Sequence, residues 1–382
     1  MDFSALKNYL DNIDKNLVPS YKCIVKNGNE TVFEYFNARE DIIESEKDKK
    51  YYYLFSASKV ITCTAAMRLV EEGKLSLEDP VYKYIPEFKE LYIGGSFQEC
   101  HKVIDKEAMP KAKNTLLIKH LFTMGGGFTY DLNHPEILKV IDEKGEQTST
   151  LDIVRAIAKM PLLFESGTDY NYSLCHDILG GVIEVVSGKK FSEYLNEIIF
   201  EPLNMKDTFF NPTDEVLKQM YQQFRVNPGY MIAQPQEPWC GYALAGEYES
   251  GGAGLVSTIE DYAEFAACLA NGTSKNGYRI LKRETIDLMR TPHLCEKAQS
   301  TFAKVGYSYG LGVRTHIDPE KSHSISPLGE YGWDGAAAAF VVIDPETKLS
   351  LTYTQHVLNC GYAYSHIHPT IRNLAYEALK KS

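Results

Sequence analysis

The spacing of apolar residues differs between the two ends of the chain and its middle. Alternating apolar and polar residues predict β-strands within residues 19–38, where Gly28-Asn29-Glu30 marks a hairpin turn, and again after residue 305. Helical spacing predominates from about 114 to 220. Further helices are predicted at residues 1–15, 58–74, 259–272 and about 367–381, and a long loop rich in Tyr, Pro and Gln at 221–248.

This order of elements predicts an α+β fold. The strands from the two ends of the chain form one antiparallel sheet, the first and last helices flank it, and a mostly helical domain is inserted between them. We place the sheet domain at residues 1–65 and 245–382 and the helical domain at 66–244. Because pockets form where domains meet, the active site is expected in the cleft between the two.

Composition and charge narrow the class of function. The chain has 382 residues, of which 44% are hydrophobic and 24% charged, which is typical of a globular enzyme. A net charge of −11 without a cluster of Lys and Arg argues against nucleic acid or an anionic membrane surface as a partner. No stretch approaches 18 apolar residues, so no transmembrane helix is predicted.

The amino terminus and the cysteines predict a compartment. Residues 1–22 lack the basic start, apolar block and cleavage site of a secretory signal. The eight cysteines are scattered without a C-x-x-C pair, so there is neither a zinc nor a redox signature. Free thiols in this number fit a reducing compartment, and the protein is predicted to be cytoplasmic.

A Ser-x-x-Lys pattern is the strongest chemical signal. It begins at Ser4, Ser56 and Ser187, but only Ser56 follows an apolar strand-like segment and opens a long helix, predicted to be amphipathic. Lys59 then lies one helical turn from Ser56 on the same face. A serine needs a base, and a lysine can serve only if burial or a positive neighbour lowers its pKa from about 10.4. The alternative is an ordinary helix start with a solvated lysine.

Tyr172 is a second candidate. It follows a turn at Gly167 and directly precedes a predicted helix, so its hydroxyl can project into a cleft. To act as a base it must be anionic or share a proton with a nearby lysine. Most of the 26 tyrosines in the chain are expected to be core or surface residues with satisfied hydroxyls.

A third candidate is the segment Trp333-Asp334-Gly335-Ala336, which leads into a predicted strand. Small residues at a strand edge let a substrate approach the backbone closely. The amide of Ala336 can then form an oxyanion hole with the amide of Ser56. The alternative is a glycine-rich turn between two strands.

The order of these motifs resembles the serine β-lactamase-related family, which includes class C β-lactamases, D-alanyl-D-alanine carboxypeptidases and family VIII esterases. Tyr-Ser-x follows Ser-x-x-Lys by about 115 residues, and Trp-x-Gly follows about 160 further on. The likeness runs from about residue 50 to 360. It includes the stretches GKLSLEDPVYKYIPEF, IKHLFTMGGGFTY, EPLNMKDTFF and GGAGLVSTIEDYAEF.

The resemblance implies a β-lactamase/transpeptidase-like fold and a set of roles. Ser56 attacks the carbonyl and Lys59 takes part in proton transfer. Tyr172 is the general base or shares that role with Lys59. The amides of Ser56 and Ala336 form the oxyanion hole. No metal or cofactor is implied.

Two departures from the family pattern bear on the substrate. Leu174 stands where class C β-lactamases have the Asn of Tyr-x-Asn, and it cannot form a hydrogen bond. Trp333-Asp334-Gly335 replaces Lys-Thr-Gly, so the cation is missing and Asp334 would repel a carboxylate if it faces the cleft. With Trp333, Asp334, Gly335 and Leu174 as substrate-binding residues, these changes favour a neutral or apolar ester.

The sequence therefore predicts a serine hydrolase that cleaves small carboxylic esters through an acyl-enzyme at Ser56. The first alternative uses the same residues on amides, as a β-lactamase or a D-amino-acid peptidase. The second is a catalytically silent binding or sensor protein, against which an intact Ser56, Lys59 and Tyr172 argue. His176 is expected to be packed rather than in the cleft. His366 and His368 suggest a metal site, but no third ligand is evident.

Overall fold

The structure, a computed structural model, describes residues 1–227, 229 and 231–380. Seven strands form one sheet in the order β2-β1-β11-β10-β9-β8-β7, and every neighbouring pair is antiparallel. The strands in these residues are β1 (Ser20–Asn27), β2 (Glu30–Ala38), β3 (Tyr52–Tyr53), β4 (Gln223–Val226), β5 (Ala233–Gln236), β6 (Val256–Ser257), β7 (Tyr307–Tyr309), β8 (Arg314–His316), β9 (Tyr331–Asp334), β10 (Phe340–Asp344), β11 (Leu349–Thr354) and β12 (Val357–Leu358).

Helices occupy much of the remaining chain, and two of them are preceded by π-helical turns, at Asn196–Phe200 and Ala363–Ile367. The α-helices are α1 (Ser4–Asp11), α2 (Ile43–Glu46), α3 (Ser58–Glu71), α4 (Phe97–Cys100), α5 (Ile118–Phe122), α6 (Pro135–Lys144), α7 (Thr150–Ile157), α8 (Cys175–Ser187), α9 (Phe191–Leu195), α10 (Glu201–Leu203), α11 (Asp214–Lys218), α12 (Ile259–Asn271), α13 (Arg283–Arg290), α14 (Glu296–Thr301), α15 (Pro319–Ser322) and α16 (His368–Lys380).

The predicted α+β architecture is confirmed. The hairpin β1–β2 turns at Gly28, whose φ of +59° suits glycine, and it joins the carboxyl-terminal strands through β11. Helix α3 ends before Gly73, close to its predicted limit. Helix α16 runs to Lys380, so the predicted end at 381 lies outside the described residues.

Alternation along the strands gives the sheet two apolar faces. On β10, Val341 and Ile343 belong to the larger core, which includes residues of α3, α8 and α12. Phe340 and Val342 face the other way, into a second core beneath α1 and α16. The site described below lies on the first face.

The segment predicted as a loop at 221–248 contains two short strands. β4 pairs with β5 in antiparallel fashion and with β12 in parallel, and the three form a small second sheet. Four-residue strands are too short to show clear alternation, and Pro235 within β5 hides the signal further. Pro235 is tolerated because β5 is an edge strand.

Helix α3 was predicted to be amphipathic, and this is wrong. Every residue from Ser58 to Met67 is buried, because the helix packs inside the larger core. The predicted domain boundary after residue 65 falls within this helix, and the division into two domains stays a prediction. Among the described residues, no helix combines the length and apolar character needed to cross a bilayer.

Candidate active site

Ser56 lies in a tight turn between β3 and α3. The turn is a 3₁₀ helix at Phe55–Ala57, and the N–H of Leu54 anchors it by donating to the carbonyl of Leu255, at 2.9 Å. Phe55 has a φ of +47°, a left-handed conformation that is costly for a bulky residue and characteristic of functional turns. The turn leaves Ser56 almost buried, with 9% of its surface exposed.

Lys59 is fully buried beside Ser56. Its Nζ lies 3.2 Å from Ser56 Oγ, 3.2 Å from the Tyr130 hydroxyl and 2.7 Å from the carbonyl oxygen of Gly252. Three acceptors match the three hydrogens of an ammonium group. In its neutral form the amine can keep the contacts with Tyr130 and Gly252 and accept the hydroxyl proton of Ser56.

Burial makes that neutral form accessible. Removal from water lowers the pKa of Lys59 to about 7, although the negative charge of Asp177 opposes the shift. Burial, rather than a positive neighbour, is therefore the cause. With its pKa lowered to about 7, the neutral amine is accessible near neutral pH, and Lys59 can act as the base for Ser56.

Tyr172 lies beside the same pair. Trp333 donates its indole N–H to the Tyr172 hydroxyl at 3.1 Å, and the two rings stack with centroids 5.7 Å apart. Lys59 Nζ is 4.6 Å from the centroid of the Tyr172 ring. Burial raises the pKa of Tyr172 well above its usual value, and the Ser56 hydroxyl and the Trp333 N–H offset this only partly. Tyr172 is thus a neutral phenol, able to donate a proton.

Asp177 fixes the loop that holds Lys59. One of its oxygens, Oδ1, accepts hydrogen bonds from the Tyr248 hydroxyl (2.8 Å), the Ser250 hydroxyl (2.6 Å) and the Gly252 N–H (3.2 Å). The carbonyl of Gly252 then points to Lys59. A methyl group at Gly252 would lie 2.5 Å from Asp177 Oδ2, so glycine is required for this close approach.

The end of β9 runs against the Ser56 turn. A methyl group at Gly335 would collide with the carbonyl oxygen of Leu54, which shows how closely the two backbones approach. Ala336 follows in an exposed turn. From the other side, the Tyr364 hydroxyl contacts the carbonyl oxygens of Gly335 (2.7 Å) and Ala336 (2.9 Å) and holds this turn in place.

The structure does not bring two of the predicted substrate-binding residues to the cleft. Leu174 is fully buried in the larger core, so it is not available to a substrate. Asp334 lies on the face of β9 opposite to Trp333 and pairs with Lys304 and Arg314. Burial would raise the pKa of Asp334, but the two cations outweigh it and lower the pKa to about 2.

The three histidines considered from the sequence occupy different environments. His176 is packed as expected: its Nε2 is 3.2 Å from the carbonyl oxygen of Phe122, and burial lowers its pKa to about 3. His368 is buried and stacks on Phe340, whereas His366 is exposed. The described part of the chain has no group of three or more His, Cys, Asp or Glu side chains arranged to hold a metal ion.

Tyr130, Asp177 and Gly252 belong to the site but were not predicted from the sequence. Tyr130 ends the stretch GGGFTY and Gly252 lies in GGAG, and both stretches were part of the family resemblance. The glycines of these two stretches were the available signal, because glycine allows another segment to approach the backbone closely. The only signal for Asp177 was an acidic residue within an otherwise apolar helical segment.

Comparison with known proteins identifies the family. The family model described as Beta-lactamase matches residues 16–359. The chain belongs to the beta-lactamase family. The predicted resemblance and the β-lactamase/transpeptidase-like fold are thereby confirmed, and the protein is a serine hydrolase of this family.

Individual relatives within the beta-lactamase family carry several activities in their names. The chain is 29% identical over 272 residues to a lovastatin esterase of Penicillium rubens, covering 70% of this chain and 66% of that one. It is 26% identical over 328 residues to a putative D-alanyl-D-alanine carboxypeptidase of Escherichia coli, covering 78% and 67%. The solved structure of EstCE1, a hydrolase with promiscuous acyltransferase activity, covers 96% of both chains with a TM-score of 0.75 and 22% identity.

We expect Asp177→Asn to move the acidic limb of the pH profile to lower pH. If a neutral Lys59 is the base, kcat/KM for an ester rises as the pH increases through about 7. Removing the charge of Asp177 destabilises the ammonium, so the same rise occurs at lower pH. The control is Asp344→Asn, because Asp344 also accepts bonds from a tyrosine hydroxyl, a second hydroxyl and a backbone N–H. An unchanged limb in Asp177→Asn would contradict the role of Asp177.

We expect Gly335→Ala to impair catalysis rather than folding. The added methyl group must push the end of β9 away from the Ser56 turn, and a displacement of this kind lowers kcat/KM by about 10²-fold. Gly361→Ala is the matched control, since a methyl group there meets no atom within 4 Å. Esterase rates and thermal unfolding of both variants are compared. Wild-type rates in Gly335→Ala would show that the position of this turn does not matter.

Proposed function

We propose that the protein is a carboxylesterase that hydrolyses small neutral esters through an acyl-enzyme at Ser56. The observation that carries the proposal is the buried Lys59, whose Nζ lies 3.2 Å from Ser56 Oγ. Its lowered pKa supplies a base at neutral pH. The residues around this pair suit an ester without charge.

Acylation begins with proton transfer from Ser56 to the neutral amine of Lys59. Oγ then attacks the ester carbonyl, and the carbonyl oxygen becomes negative. The amides of Ser56 and Ala336 are proposed to donate to that oxygen. Ser56 is suited to this role because its N–H lies in the first turn of a helix, where amides lack an acceptor within the helix. The close approach of Gly335 to Leu54 supports the role of Ala336.

Tyr172 is proposed to protonate the leaving group. Its raised pKa keeps the hydroxyl protonated, and the hydroxyl lies beside Ser56. It donates its proton to the departing alkoxide and regains one from the Lys59 ammonium. Water then attacks the acyl-enzyme with the same groups in reverse order, which releases the acid and restores Ser56. The general base is thus Lys59, and Tyr172 serves as the proton donor.

Aromatic side chains surround the reacting pair. The Tyr130 ring lies 5.7 Å from Tyr172 and 5.5 Å from Tyr242, between centroids, and Tyr172 stacks on Trp333. Such walls favour an apolar acyl or alcohol group. The lovastatin esterase among the relatives supports an ester as substrate.

A second candidate is hydrolysis of D-amino-acid peptides. Lys304 favours it, because its Nζ lies 5.1 Å from the Trp333 ring centroid and is a possible partner for a peptide carboxylate. The putative D-alanyl-D-alanine carboxypeptidase among the relatives also supports it. However, Lys304 is already paired with Asp334, so a substrate carboxylate would have to compete for it.

Initial rates on three substrates test the proposal. The substrates are a short-chain p-nitrophenyl ester, a chromogenic cephalosporin and a D-alanyl-D-alanine peptide. We expect ester hydrolysis to exceed the other two rates and to fall by at least about 10³-fold in Ser56→Ala. Ser187→Ala is the matched control, since it alters a second Ser-x-x-Lys pattern away from the site and should keep the wild-type rate.

Three outcomes would contradict the esterase proposal. Efficient cephalosporin or peptide cleavage that requires Ser56 would favour the amide alternative. Ester hydrolysis that survives in Ser56→Ala would remove Ser56 as the nucleophile. No measurable hydrolysis of any of the three substrates would favour a binding or sensor protein with this fold.

A further inference from the structure

A second cavity lies on the opposite face of the sheet from Ser56. It has a volume of about 270 Å³ and is bounded by β8, β9, β10 and α16. Asp334 lines this cavity, while its neighbour Trp333 faces Tyr172. The two sites therefore share β9 but not its side chains.

The walls of this cavity carry an excess of positive charge. Besides Asp334, its charged lining residues are Lys304, Arg314, Lys321 and Arg372. His368 also lines it, and because burial lowers the pKa of His368 to about 3, it is neutral.

Three of the four cations have carboxylate partners. Arg314 pairs with the buried Glu330 at 2.8 Å and with Asp334 at 3.4 Å. Lys304 shares Asp334 with Arg314. Lys321 pairs with Asp318 at 3.0 Å on the surface.

Arg372 lacks such a partner. Its Nη1 donates to the Tyr307 hydroxyl and its Nε to Asn373 Oδ1 at 3.2 Å. Within residues 1–227, 229 and 231–380, no carboxylate oxygen lies within 4.0 Å of its guanidinium, although only 4% of Arg372 is exposed. Buried guanidinium groups are normally paired with an anion, because an uncompensated charge is costly in a low dielectric.

Two buried donors in the same wall also lack acceptors. Nη2 of Arg372 and Nε of Arg314 have no hydrogen-bond partner in the described part of the chain. Both residues line the cavity. Among the residues that the structure describes, the wall of the cavity therefore holds one guanidinium without a carboxylate partner and two buried N–H donors without acceptors.

We propose that this cavity binds a small oxyanion carrying a phosphate group, either inorganic phosphate or a small phosphate ester. Arg372 is its main partner, and Lys304 contributes from the rim. Guanidinium groups match the oxygen geometry of phosphate, and charge-assisted bonds of this kind are strong. Binding does not depend on the proposed esterase function.

The position of the cavity allows a bound anion to affect the turn at Gly335 and Ala336, which lies against Ser56. Tyr364 lines the cavity and holds the carbonyl oxygens of Gly335 and Ala336. Asp334, which directly precedes that turn, holds Lys304. An anion that draws Lys304 from Asp334 alters the contacts behind Ala336, so occupancy should change the rate at Ser56. This second part rests on the proposed function.

Calorimetric titration of the full chain tests the binding. Inorganic phosphate and glycerol 3-phosphate are titrated separately, with sodium chloride at matched ionic strength as the blank. We expect saturable binding to the wild type and an affinity at least about tenfold weaker in Arg372→Met. Lys304→Met should also weaken binding. Because Lys304 lies at the rim, this second variant keeps the test valid if Arg372→Met fails to fold.

Lys83→Met is the matched control. Lys83 also pairs with an aspartate, Asp79 at 2.9 Å, and lies 5.2 Å from an aromatic centroid, but it is away from the cavity. It should bind as the wild type does. Tighter binding of inorganic phosphate would identify the free ion as the ligand, and tighter binding of glycerol 3-phosphate would identify an ester.

Two calorimetric results would overturn the proposal: no saturable heat beyond the chloride blank, or wild-type affinity in both cavity variants. The regulatory part is measured as the ester rate with and without saturating phosphate. A rate that does not change would overturn that part alone. An enzyme that cleaves no ester but still binds phosphate through Arg372 would refute the esterase proposal and leave the anion site standing.

Discussion

The burial of one lysine is the constraint on which the rest of the site depends. Lys59 lies on a helix that the core surrounds on all sides, so its charge cannot be solvated by water. Its nitrogen instead meets three oxygen atoms, those of Ser56, Tyr130 and Gly252. The same loss of solvation that would destabilise an ammonium brings its pKa to about 7 and turns it into a base.

The burial of Lys59 also explains the role of the residues that position its oxygen partners. The carbonyl of Gly252 faces Lys59, and Asp177 positions the loop around Gly252 by accepting three hydrogen bonds. The charge of Asp177 also limits how far the pKa of Lys59 falls. Burial acts in the opposite direction on Tyr172 and keeps it protonated. One low-dielectric environment therefore yields a base and an acid side by side.

The sequence predicted those parts of the site that are local. Ser56 and Lys59 are one helical turn apart, and the sheet strands could be recognised from their alternation. Tyr130 and Gly252 could not be placed, because each meets Lys59 only through the packing of distant segments. Leu174 and Asp334, predicted to bind the substrate, do not reach the cleft, for a different reason. Side-chain direction depends on single positions at a helix start or along a strand, and Asp334 faces away because Trp333 faces the cleft.

Asp334 lies outside the cleft and pairs with Lys304 and Arg314. A repelling carboxylate no longer disfavours anionic substrates, so the proposed preference for neutral esters rests on what surrounds Ser56. There the walls are aromatic, and by the resemblance to the family Trp333 takes the position of the lysine in the Lys-Thr-Gly motif. Lys304 is the nearby cation, and Asp334 holds it from behind. A carboxylate substrate would have to break that ion pair, whereas a neutral ester would not, and the aromatic walls stabilise an apolar group without further rearrangement.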